Sequence, residues 1–259
     1  LIKQKYNKLK FYSYILIGLS LISISTSEIQ AQVEKNTADG LYYTREKSYG
    51  IVFHTGGWGI NYRYINNKGA FKKQFFGGEI VSLRHLKEVK VKNASYANSK
   101  GFVYGKLYNV WIIRPEYGLQ KILYGKEIKS ALQISRILSF GPSLFFAKPV
   151  YLEIIKKSQD YTDDIVSERY DPQKHQASQI YGKSNFSTGL NKSTLLPGAF
   201  IKWAYQFDFA PADDRLKSIE LGTVLDIQPL GLQQMAYNPK KYVFFNFYVA
   251  YSFGKKFFK

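Results

Sequence analysis

The groups in this sequence able to perform acid–base, nucleophilic or metal chemistry are few. There are three His, at positions 54, 85 and 175, and no Cys. The missing thiols exclude a disulfide framework, a thiolate zinc site and a cysteine nucleophile. Three imidazoles leave little material for a transition-metal centre. One stretch does gather suitable partners: Tyr170-Asp171-Pro172-Gln173-Lys174-His175-Gln176-Ala177-Ser178. Asp171 and His175 could supply two metal ligands or half of an acid–base pair, with Ser178 as a hydroxyl. A triad needs all three groups to meet in space, which this spacing does not establish, so His175 reads as a loop residue. Asp160, Asp163, Asp164 and Glu168 offer oxygen ligands for a hard cation such as calcium. They lack the glycine-turn spacing of a calcium loop. Gly56-Gly57-Trp58-Gly59 lacks phosphate-loop spacing and reads as close packing inside a strand. No catalytic residue, metal or cofactor is therefore assigned.

Composition points elsewhere. The chain has 259 residues, a net charge of +18 and an aromatic fraction of 17%, with 22 Tyr and 19 Phe. Aromatics are this dense on nucleic-acid stacking surfaces and in the headgroup belts of membrane barrels. The N-terminus separates the two. Lys3, Lys5, Lys8 and Lys10 precede a short apolar run from Tyr14 to Ile22, and Ile29-Gln30-Ala31 follows. This is the pattern of a secretory signal peptide over 1–31, too short and too broken for a permanent membrane helix. Export argues against a nucleic-acid partner. Without that segment's four Lys and Glu28 the excess is still +15. Outer-membrane lipid and lipopolysaccharide phosphates are the natural anionic surroundings.

The elements that must position any site are strands. Alternation at period two recurs over long segments. In 242–253, Val243, Phe245, Phe247, Val249, Tyr251 and Phe253 share one face, opposite Asn246, Ala250 and Ser252. The segments 199–209 and 218–228 read the same way. In 50–64 the outer set is Val52, Trp58, Ile60, Tyr62 and Tyr64, and His54 has outward parity. Less clean candidates are 74–86, 105–117, 129–140 and 142–155, the last with Lys148 on the apolar parity and Pro149 interrupting the ladder. The expectation is an all-β fold: an eight-stranded antiparallel transmembrane up-and-down barrel, in the outer membrane of a Gram-negative cell. A soluble β-sandwich would keep one face of each sheet polar. The domain reading is a signal peptide at 1–31, a periplasmic segment at 32–48 and a barrel at 49–259. With periplasmic termini, 140–142 and 209–217 become inner turns, while 65–73, 118–128, 156–198 and 229–241 lie outside. Only 87–104 is long for an inner turn.

This register points Arg63, Lys202, Asp208, Glu220 and Asp226 inward, where a narrow lumen should force opposite charges to pair. Lys202 with Glu220 or Asp226 is the expected contact. The external loop 156–198 carries Tyr161, Tyr170, Asp171, His175, Tyr181 and Phe186 and reads as a partner-docking element.

The chain resembles outer-membrane β-barrel proteins of the Bacteroidota phylum. The resemblance lies in Ile29-Gln30-Ala31-Gln32, Gly57-Trp58-Gly59-Ile60-Asn61-Tyr62-Arg63-Tyr64, Lys148-Pro149-Val150-Tyr151-Leu152 and the terminal Phe247-Tyr248-Val249-Ala250-Tyr251-Ser252-Phe253-Gly254-Lys255-Lys256. It implies a non-enzymatic accessory or scaffold subunit of a larger outer-membrane complex, for barrel assembly or protein secretion. A lipid-modifying barrel enzyme and a narrow solute pore are the alternatives.

Overall fold

The computed structural model describes residues 44–257 apart from 70, 97, 127–131, 158–162 and 212–213. The signal-peptide reading and most of the 32–48 segment lie outside the described residues, as does Tyr161. The strands are β1 (Arg45–His54), β2 (Gly57–Asn67), β3 (Lys72–Leu83), β4 (Lys90–Val91), β5 (Phe102–Val103), β6 (Tyr108–Tyr124) and β7 (Gln133–Pro149). They continue with β8 (Tyr151–Lys157), β9 (Asp163–Arg169), β10 (Ile180–Lys183), β11 (Thr194–Asp208), β12 (Arg215–Leu232) and β13 (Lys241–Phe257). Eight of them close an antiparallel barrel in the order β1-β13-β12-β11-β7-β6-β3-β2. Closure by β1 against β13 leaves no free edge, so every strand of the wall is paired on both sides.

The barrel count matches the expectation through two compensating differences. Residues 50–64 are not one strand: Thr55-Gly56 make a tight turn, where the Gly56 amide donates to His54 Nδ1 at 3.1 Å. The turn shifts the outward parity from Tyr49, Ile51 and Phe53 to Trp58, Ile60 and Tyr62, so Val52 and His54 point inward and are buried. Conversely, 129–140 and 142–155 are not separated by a turn. β7 runs straight through Gly141-Pro142 to Pro149. The β6–β7 ladder skips residues 114–116 and 141–143, around Pro115 and Pro142, but keeps one register on both sides, Ile113 opposite Leu144 and Tyr117 opposite Phe140. Proline lacks the amide that the ladder would use there. Arg45 to Ser48, assigned above to the segment before the barrel, already pair in β1.

These differences move the connections. The strand ends Asn67 and Lys72, Tyr124 and Gln133, and Asp208 and Arg215 lie at the end that holds Arg45 and Phe257. The Thr55-Gly56 turn and the strand ends Leu83 and Tyr108, Pro149 and Thr194, and Leu232 and Lys241 lie at the other. The long 84–107 connection therefore shares an end with the longest loop, and the placements of 65–73 and 118–128 outside and of a turn at 140–142 are corrected. Outer-membrane barrels keep short turns on the periplasmic side and long loops outside, and this arrangement follows that rule.

The wall's two faces differ as a lipid-embedded barrel requires. Outward residues of β13 from Val243 to Phe253 are exposed, while Phe244, Asn246, Tyr248, Ala250 and Ser252 are buried. Outward aromatics meet across strands: Tyr49 with Tyr62 at 5.0 Å, Phe76 with Tyr117 at 5.0 Å and Tyr117 with Phe140 at 5.7 Å. Trp58 and Trp111 meet edge to face at 6.5 Å near the loop end. An exposed, aromatic, apolar wall is favourable in lipid and costly in water.

The loops at that end form a second layer. β10, β8 and β9 make a three-stranded sheet, and β4 pairs with β5. A separate apolar core unites them: Phe102, Val150, Leu152, Ile154, Tyr170 and Ile180. The Val150 amide donates to Leu107 O at 2.9 Å, the Ala236 amide to Gly105 O at 2.6 Å and the Tyr237 hydroxyl to Pro172 O at 3.2 Å. Three connections thus fold as one cap.

Candidate functional site

Inside the barrel the pleat stacks charged residues from five strands. Arg63 on β2 donates from Nε to Glu116 on β6 at 2.6 Å and grips Glu220 on β12 with Nη1 and, at 3.2 Å, with Nη2. Arg114 on β6 holds Asp226 on β12 through Nε at 2.8 Å and Nη2 at 2.7 Å, and also bonds Glu79 on β3. Lys202 on β11 bonds Glu79 and lies 3.7 Å from Glu116. The Tyr248 hydroxyl donates to Glu220, and Ser139 Oγ to Glu116 at 3.3 Å. None of the seven charged residues is more than 3% exposed.

Aromatic rings complete the packing. The Arg63 guanidinium lies 4.7 Å from the Phe75 ring centre, and Lys202 lies 5.1 Å from that of Tyr248. Phe75 fits because residue 118 is glycine: a Cβ there would stand 2.0 Å from the ring. Three cations face four carboxylates, and paired, hydrogen-bonded charge is the only inexpensive way to fill so narrow a lumen with polar groups.

Arg63, Lys202, Glu220 and Asp226 thus share one network, but Lys202 does not pair with Glu220 or Asp226. Arg63 and Arg114 take those two carboxylates, leaving Lys202 to Glu79 and Glu116 across the lumen. Asp208 stands apart at the terminal-bearing rim, 3.3 Å from Lys126 and 3.7 Å from Lys256. Glu79, Arg114 and Glu116 were not singled out from the sequence. The signal was present: Val110, Ile112, Arg114 and Glu116 alternate with Trp111, Ile113 and Tyr117.

The cap distributes the other candidates differently. Tyr170 and His175 are buried within it rather than available for docking. Tyr170 packs against Tyr104 and His175, and burial, with Tyr104 beside it, pushes its phenol up to about 12. His175 Nδ1 accepts the Asp171 amide at 3.1 Å, and Nε2 sits 3.3 Å from Glu168. Asp171 Oδ1 accepts the Gln173 amide at 3.0 Å. These contacts lock a turn, and both imidazole nitrogens are used in doing so. Glu168 is held below the usual carboxylate range by hydrogen bonds from Lys156 and His175. Tyr181 packs edge-on against Tyr96 at 5.5 Å. Among the described members of the aromatic set, Phe186 is the exposed one, at 63%. Asp160 of the acidic run lies outside the described residues. Among the described residues no three His, Asp or Glu gather as metal ligands.

A closed eight-stranded antiparallel wall, apolar outside and charge-paired inside, defines a small barrel of the outer-membrane type. No protein-family model and no curated protein matches the chain. Among solved structures it is similar to Ail, the attachment invasion locus protein of Yersinia pestis, determined with the heparin analogue sucrose octasulfate. That comparison has 8% identity and a TM-score of 0.38, covering 82% of this chain and 96% of Ail. Neisserial surface protein A gives 7% identity and a TM-score of 0.38, with 82% and 96% covered.

Proposed function

We propose that the protein is a non-enzymatic integral outer-membrane barrel that serves as an accessory subunit of a larger outer-membrane complex, for barrel assembly or secretion, and holds its partner through the loop cap. The observation that carries this reading is apolar surface on the cap, outside the lipid-facing strands. Leu86 is 84% exposed and Tyr237 80%, with Val89 also exposed. Lys87 Nζ donates to Asn238 Oδ1 at 3.2 Å and brings the two loops side by side. Large apolar side chains held on an ordered surface stand in water only at a cost, and a protein partner removes it. The interior supports the same reading, since a lumen filled by paired charge leaves the cap as the surface for recognition. The resemblance to barrels of the Bacteroidota adds to it.

The test is purification in mild detergent from native membranes, with identification of co-purifying proteins. Leu86→Asp with Tyr237→Asp should keep the barrel in the membrane and lose the partner. Unchanged co-purification by that variant would remove the docking role.

A further inference from the structure

On the outer wall at the loop end, β3, β6 and β7 and the overhanging cap enclose a cleft of about 740 Å³. Its charge is one-sided. Arg84, Lys90, Lys100, Lys106, Lys148 and Lys183 line it, with Glu88 as the acid among the lining residues. Glu88 is taken by Lys106 at 2.6 Å, and Lys100 is paired with Glu153 at 3.3 Å. Among the described residues, no carboxylate lies within 4.0 Å of the side-chain nitrogens of Arg84, Lys90, Lys148 or Lys183.

Lys148 is the unusual member. Its pleat parity, shared with Leu144 and Phe146, points it away from the lumen, yet it is only 3% exposed because the cap covers it. Its Nζ lies 5.0 Å from the centre of the Phe186 ring. A covered ammonium with an aromatic face but no counter-charge is unfavourable unless an anion completes its surroundings. The rest of the lining is largely apolar, with Trp111, Phe102 and Phe186 among it, beside the polar Ser82, Asn109, Ser184 and Asn185. Trp111 continues into the lipid-facing wall through Trp58.

We propose that this cleft binds the phosphate of a phosphorylated lipid headgroup in the outer leaflet. The cations take the phosphate, and the apolar lining and the wall below take the head's body and its chains. Clustered Lys and Arg at the level of anionic headgroups are the recurrent means of holding such lipids. A soluble phosphate satisfies the cations alone, whereas a lipid also uses the continuity with the belt. The inference rests on the membrane placement proposed above and not on the docking of a protein partner.

Native mass spectrometry of the detergent-purified protein, with lipid A bearing two phosphates as the probe, tests it. One lipid A should be retained per barrel, at least tenfold in preference to phosphatidylcholine. Lys148→Met with Lys183→Gln should reduce retention at least tenfold, while Lys126→Gln, at the far rim, should not change it. Arg84→Gln with Lys90→Gln alters exposed cations only, and should also weaken retention, which separates loss of the phosphate contacts from any disturbance of the cap by the changes at Lys148 and Lys183. Glucosamine phosphate should compete poorly. Equal retention of phosphatidylcholine, or full retention by both variants, overturns the site; equal competition by glucosamine phosphate overturns the lipid as its ligand. Co-purification of a protein partner should be unaffected by these variants, which separates this result from the docking test.

Discussion

Arg114 clamps Asp226 across the barrel interior with two nearly parallel bonds, from Nε to Oδ1 at 2.8 Å and from Nη2 to Oδ2 at 2.7 Å. The two residues lie on strands that are not neighbours in the wall, so the pair braces the lumen rather than one hairpin. Both are essentially without solvent.

Breaking that clamp on one side leaves a buried charge. Arg114→Met should destabilise the barrel by about 3–5 kcal/mol, since Asp226 loses its two-point donor and Glu79 keeps only Lys202. Asp226→Leu added to Arg114→Met should recover part of that loss, because the stranded carboxylate is gone. Urea unfolding from lipid vesicles, followed by tryptophan fluorescence, gives both numbers. Additive losses in the double variant would show that the two side chains do not act as a pair.

The lipid face has its own sign. Val249 is the central residue of β13 and points outward. Val249→Arg should cost about 2–4 kcal/mol if that position lies near the bilayer midplane. Arg at Lys241, the first residue of the same strand and exposed at the loop end, should cost less than about 1 kcal/mol. Equal costs in the same unfolding assay would place the strand in a uniform medium and contradict the belt.

Much of this wall was legible from phase, and the misreadings came from punctuation. Gly141-Pro142 looks like a turn, yet Leu138, Phe140, Leu144 and Phe146 keep one outward parity across it, as a single strand must. The turn at Thr55-Gly56 carries the opposite signature: Tyr49, Ile51 and Phe53 are outward on odd positions, and Trp58, Ile60 and Tyr62 on even ones. A change of phase marks a turn more reliably than glycine or proline does. The interior was legible in kind but not in pairing. Which carboxylate meets Lys202 depends on strand stagger around the closed barrel, and adjacent-strand reasoning favours Asp226 and Glu220 over Glu79 and Glu116 on strands further round the wall. The cap was least legible, because its short strands alternate over too few residues to show a period.

Two groups in the cap should respond to pH in opposite directions. Tyr170 has its phenol raised to about 12, so its contribution is complete below the unfolded tyrosine value of about 10 and is lost as pH rises through 12. Glu168 is lowered by Lys156 and His175, so its contribution is present above the unfolded carboxylate value and is lost as pH falls through its folded one. Hydrogen exchange of β8 amides should therefore quicken at both extremes while the barrel amides stay protected. Glu168→Gln should remove the acid limb and Tyr170→Phe the alkaline one. Limbs that persist in these variants would assign the titrations elsewhere.

The last expectation concerns conduction. Arg63, Arg114 and Lys202 meet Glu79, Glu116, Glu220 and Asp226 in one buried layer, and Phe75, Phe200 and Tyr248 pack against its cations. An ion crossing the lumen would have to displace a guanidinium from a carboxylate that grips it at two points. The purified protein in a planar bilayer should therefore show no steady conductance. Substituting the bracing groups with small neutral ones, Arg63→Ser with Glu116→Ser and Glu220→Ser, removes charge of both signs and the bulk of the plug together. That variant should pass small ions if its wall stays closed, which unboiled gel migration checks. Ohmic current through the unsubstituted protein would mean that the layer opens in a bilayer, and the pore reading would then replace the plugged barrel.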